Sequence, residues 1–139
     1  MIGSDLIVAA PVLAFAVVVG LIVHEHAHAF VLELAGVEYT LEYVPDRSDG
    51  VVAALASTPW ARVEPRPTGH ESPWVLRIAA LMPLALAVPV LALGVGGHLP
   101  GADDPVATAA VVGWLGCALP SPQDFSVAFY AHRVLEDVA

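Results

Sequence analysis

Residues His24 to His28 read HEHAH. On a helix, His24 and His28 lie about 40° apart on one face and one turn apart along the axis. Two imidazole nitrogens can then approach a single metal ion, each at about 2 Å. Glu25 lies about 100° around the axis from His24, so its carboxylate reaches a water that the metal activates rather than the metal itself. This is the pattern H-E-x-x-H, which joins two zinc-binding histidines to a glutamate general base. His26 fills an x position and points to the opposite side. It is expected to bond a neighbouring helix or a polar loop.

A catalytic zinc takes a third protein ligand and keeps one position open for water. His70, His98 and His132 are scattered along the chain, and the strongest candidate is Asp124 in LPSPQDF. From Asp5 to His24 is 19 residues, and from Pro105 to Asp124 is also 19. At about 1.5 Å per residue each is a rise of about 28 Å, so two helices running the same way would bring both groups to one depth. Pro120 and Pro122 interrupt the helix just before Asp124 and free backbone groups that need partners. At membrane depth such a break is tolerated only where protein or a water-filled cavity surrounds it. The same residues could instead cap a helix through Ser121 or Asp124; ligation by Asp124 is the reading preferred here.

These residues sit in a chain built for a bilayer. Of its 139 residues 58% are hydrophobic and 14% charged, with a mean hydropathy of +0.75. Soluble domains run at about 45–50% apolar and about 25% charged. Three stretches approach the roughly 20 apolar residues that a span needs, and they set the expected organisation of a single membrane domain. Spans are expected at about 6–35, 74–97 and 105–123, with a loop at 36–73 and a C-terminal segment at 124–139. The fold class is mainly α and polytopic, with a small β-hairpin in the first loop. The flank MIGSD has no basic residue, so the first stretch reads as a permanent span rather than a cleaved signal. Ionisable side chains within a span cost roughly 2.5 kcal/mol or more each and mark functional sites.

Net charge is −9 and lysine is absent, which argues against a nucleic-acid partner. Acid excess without lysine, together with abundant Ala and Val, suggests a high-salt organism, a halophilic archaeon. The single cysteine, Cys117, allows neither an internal disulfide nor a multi-cysteine metal site. Arg47, Arg62, Arg66 and Arg77 fall in or beside the first loop and Arg133 follows the third span, whereas HLPGADDP between spans two and three has no basic residue. The positive-inside rule then places the first loop, the C-terminus and the HEHAH end of span one in the cytoplasm, in a multi-pass protein of the cell membrane. Within that loop VEYTLEYV reads as a strand, PDRSDG as a turn and VVAALAS as the returning strand, followed by the Pro-rich connector PWARVEPRPTGHESP. Pro83 and Pro89 are expected to kink span two and open space near the site.

An H-E-x-x-H in the first span, with a Pro-containing motif and an aspartate at the third, resembles the site-2 protease class of intramembrane zinc metalloproteases, in its short three-span zincin peptidase form. The resemblance runs in order along nearly the whole chain. It implies that His24, His28 and Asp124 hold zinc, that Glu25 activates water, and that the substrate is a membrane protein or peptide cleaved within or beside the bilayer. The second motif departs from the pattern. Cys117 stands where the class has an asparagine, and Phe125 follows the aspartate where the class has glycine. These departures bear on substrate handling rather than on the metal ligands.

Two other functions use the same residues. A metal-binding membrane protein without protease activity would keep the zinc and have no need of Glu25 as a base. A regulatory partner with a degenerate site would bind no metal. The hairpin could offer a strand edge to an extended substrate. Three spans make a thin enclosure for a zinc site, which leaves room for a homodimer, although no motif specifies one.

Overall fold

The computed structural model describes residues 2–43 and 61–139. It is mainly helical, with a two-stranded antiparallel sheet after the first helix. Three helical stretches, 5–34, 73–95 and 105–136, are long and apolar enough to cross a membrane, the make-up of a multi-pass membrane protein.

Helix α1 (Ile2–Leu34) carries the HEHAH segment without interruption. It stops at Gly36, whose φ of 69° is the left-handed conformation that glycine adopts without a Cβ penalty. There Val37 N–H donates to the Leu32 carbonyl at 2.9 Å and Gly36 N–H to that of Glu33 at 3.1 Å, a Schellman cap. The chain then enters β1 (Glu38–Tyr43), which pairs with β2 (Ala61–Arg66) in a register running from Glu38 opposite Arg66 to Tyr43 opposite Ala61.

The partner of β1 thus lies in the segment read from sequence as a connector. The expected turn PDRSDG and returning strand VVAALAS lie outside the described residues. A strand can hold Pro65 because it shares the side of β2 that faces away from β1, where a missing N–H removes no ladder bond.

Three further helices start on one plan, with proline in the first turn behind a side-chain cap. They are α2 (Pro73–Leu81) after Ser72, α4 (Pro105–Ala118) after Asp104, and α5 (Pro122–Glu136) after Ser121. Between α2 and α3 (Ala87–Val95) the second span tightens into a 3-10 segment, Met82–Leu86, which contains Pro83. Trp114 Nε1–H donates to the Leu86 carbonyl at that junction, 2.7 Å away. Leu119 and Ser121 each precede a proline and are extended, with ψ of 130° and 163°, so the third span breaks between α4 and α5. Asp124 accordingly belongs to the first turn of α5, past the break, rather than to the end of one continuous helix.

Helices α1 and α4 run in the same direction with very close backbones. A Cβ on Gly113 would meet Ala16 Cβ at 3.0 Å, and one on Gly20 would meet Cys117 Sγ at 2.7 Å. Small residues four apart on both helices permit this approach, as in other membrane helix pairs. At the other end of the pair, Leu32, Val37, Leu76, Ala79, Ala131 and Leu135 form a buried core, against which Tyr39 and Val63 of the hairpin pack. Arg77 Nε–H donates to the Ala128 carbonyl at 3.2 Å, tying α2 to α5.

Candidate metal centre

The α-helical spacing of His24 and His28 places both rings on the buried face of α1, with only 6% and 8% of each residue exposed. Both rings are held from behind. His24 Nδ1–H donates to the Cys117 carbonyl at 2.7 Å, at the end of α4. His28 Nδ1–H donates to the Ala79 carbonyl at 2.8 Å, in α2. A carbonyl can only accept, so each neutral ring carries its proton on Nδ1 and leaves a bare lone pair on Nε2. The two Nε2 atoms point at each other, 3.1 Å apart.

Asp124 closes the group. Its Oδ2 lies 3.5 Å from His24 Nε2 and its Oδ1 3.3 Å from His28 Nε2. The aspartate is fixed by a capping box: Ser121 N–H donates to Asp124 Oδ2 at 2.6 Å, and Asp124 N–H donates to Ser121 Oγ at 3.1 Å. Capping and facing the histidines, treated as alternatives at the sequence level, are done by one carboxylate. The break at Pro120 makes this possible, because the Ser121 amide would otherwise be spent inside α4.

With both rings neutral, three acceptors converge with no donor between them, an arrangement that a metal cation, or a proton shared with the carboxylate, would satisfy. Their spacings fit a metal. Ligand atoms about 2.0–2.1 Å from a tetrahedral centre lie about 3.3 Å from one another; the two Nε2 atoms are 3.1 Å apart, and each faces a different oxygen of Asp124, at 3.5 Å for His24 and 3.3 Å for His28. His24, His28 and Asp124 lie close enough together to hold a metal ion, and they are the one such group of three among the described residues. His70, His98 and His132 are not in it. Cys117 contributes its backbone to the site, while its thiol donates to the Val17 carbonyl at 3.4 Å.

Glu25 stands beside this group without joining it. With His28 and Asp124 it lines a cavity of about 350 Å³, walled further by Leu32, Leu76 and Val127. Val63 N–H donates to Glu25 Oε2 at 2.9 Å. In an antiparallel strand a residue's N–H and C=O point the same way, so Val63 turns both away from β1 and toward the cavity. The strand edge facing the site therefore belongs to β2. Val63 and Pro65 both line the cavity; one amide on that edge is held by Glu25 and the other position has none. His26 meets neither a neighbouring helix nor a loop: it donates from Nδ1 to the Ile22 carbonyl of its own helix at 2.8 Å and accepts from Tyr43 Oη–H of β1 at 3.2 Å. It ties α1 to the hairpin.

Three features of the site escaped sequence reasoning: the Ala79 and Cys117 carbonyls and the Val63 amide. Backbone groups have no residue-type signature. Only the prolines near them could have hinted that carbonyls were left over. No family of known proteins, no curated protein and no solved structure matches this chain.

Proposed function

We propose that the protein is a zinc metalloprotease that hydrolyses peptide bonds at the membrane boundary, with His24, His28 and Asp124 as ligands and Glu25 as general base. The observation that carries this reading is the place of Glu25. It is a carboxylate in the wall of the ligands' own cavity and outside their ligand group. Metal storage or structural binding has no use for such a group; hydrolysis does.

The donor set of two imidazoles and one carboxylate leaves a fourth position free and suits zinc. Bound there, zinc would polarise the scissile carbonyl and make water nucleophilic near neutral pH. Glu25 takes the proton from the attacking water and returns it to the leaving amine. The Val63 amide holds the Glu25 side chain in the cavity wall. Leu32, Leu76 and Val127 receive apolar substrate side chains and limit bulk water. Pairing of an extended substrate with the cavity-facing edge of β2 would require Glu25 to yield the Val63 amide.

His24 lies 19 residues from Asp5, about 28 Å along α1 and close to the far boundary of a hydrocarbon core about 30 Å thick. The arginines 62, 66, 77 and 133 belong to the loop and helices at that same end. By the positive-inside rule this end faces the cytoplasm.

The test is zinc per chain in detergent-purified protein, followed by cleavage of a membrane-peptide substrate. One zinc in the native protein, lost in His24→Ala and in Asp124→Ala, supports the ligand set. Glu25→Gln should keep the zinc and abolish cleavage. A Glu25→Gln variant that still cleaves removes the proposed base, and a native protein without metal removes the reading altogether.

A further inference from the structure

Both imidazoles donate hydrogen bonds to carbonyls that belong to helices. Inside a regular helix such a carbonyl is committed to the N–H four residues on. Four residues after Ala79 is Pro83, which has no N–H. Three residues after Cys117 is Pro120, and the amide of the fourth, Ser121, has turned to Asp124. The Ala79 carbonyl keeps one short-range partner, Met82 N–H, and has a lone pair to spare.

Proline is disfavoured within a helical span because it lacks the N–H, so a buried one invites a reason. Pro83 is fully buried, whereas Pro89 in the same span is exposed. Pro83 stands where a missing N–H leaves the Ala79 carbonyl facing α1.

We infer that Pro83 and Pro120 are positioning residues for the metal centre: Pro83 by withholding an N–H from the Ala79 carbonyl, and Pro120 by ending the helix so that the Ser121 N–H turns to Asp124 and leaves the Cys117 carbonyl, they reserve these acceptors for His28 and His24 and so turn both Nε2 atoms toward Asp124. Metal-ligating histidines commonly depend on such a bond from the other ring nitrogen, which fixes both tautomer and ring angle. Here the chain supplies the acceptors by interrupting helices rather than by adding polar side chains, which would be costly at this depth. The inference rests on the zinc reading for its ligand but not for its effect on the histidine tautomers.

The decisive variant is Pro83→Ala, which returns an N–H four residues after Ala79; because it also truncates a buried side chain, thermal melting checks that the variant is folded. Zinc affinity should fall about 10–100-fold. In metal-free protein, the ring-nitrogen NMR signals of His28 should change from a single Nδ1–H tautomer to a mixture. Pro89→Ala, the exposed control, should alter neither. Lactic acid at position 83, introduced by nonsense suppression, has alanine's side chain but an ester oxygen in place of N–H; it should restore both readouts. Native affinity and a single tautomer in Pro83→Ala would overturn the inference. So would failure of the ester variant to restore them, since the shape of the kink rather than the missing donor would then be responsible. If the native protein binds no zinc yet Pro83→Ala still mixes the tautomers, the zinc reading fails and the positioning role stands.

Discussion

Gly20→Ala should damage the metal centre from a distance, through the contact between α1 and α4. Gly20 lies one turn before His24 on the same face, and a Cβ there would stand 2.7 Å from Cys117 Sγ and 2.8 Å from Cys117 Cβ. Ordinary contact begins near 3.4 Å, so α4 must retreat by about 0.7 Å at this point. The Cys117 carbonyl rides on the same residue. Its bond from His24 Nδ1, now 2.7 Å, would stretch to about 3.4 Å, beyond the useful range of an N–H···O bond. Overpacking of this kind costs about 1–3 kcal/mol of stability. Loss of the bond behind a ligating histidine costs about 10–100-fold in metal affinity, or about 1.4–2.7 kcal/mol. The assay is competition for zinc against a chromophoric chelator in detergent, with folding followed by thermal melting. Gly20→Ala/Cys117→Gly moves the missing Cβ to the other helix and should recover zinc affinity, although glycine within α4 costs about 1 kcal/mol of helix stability. Native zinc affinity in Gly20→Ala, or no recovery in the double variant, would refute the chain from helix spacing to His24.

Other consequences are equally direct. Val63→Pro removes the amide that holds Glu25 and, because that amide points away from β1, spares the ladder; cleavage should fall by about a hundredfold, the lower end of what a general base contributes, with zinc per chain unchanged. His26→Ala should leave zinc binding intact, since its ring nitrogens bond Ile22 and Tyr43; loss of metal would mean that it ligates after all. Gly36→Ala should lower thermal stability by about 1 kcal/mol, a purely backbone effect because nothing lies within 4 Å of the added methyl; an unchanged melting temperature would remove the cap from the account of why α1 ends there.

The sequence alone was enough for the features that depend on short-range spacing and on composition. The apolar runs determine three spans because a bilayer tolerates little else over that length. The four-residue step from His24 to His28 determines their common face because helical geometry is local. The prolines of LPSPQDF likewise announce the break before Asp124, since a missing N–H acts wherever the chain goes. The strand partner of β1 was not legible: ARVEPR carries proline and charge, and it becomes a strand only because Val63 packs on the core and Pro65 falls on the edge away from β1. Whether Asp124 caps a helix or faces the histidines could not be settled from spacing, because its two oxygens do both once α5 is placed against α1 and α2. The supporting groups were the most hidden. The Ala79 and Cys117 carbonyls and the Val63 amide are identical in every residue, and only tertiary packing decides which of them is free and what it meets.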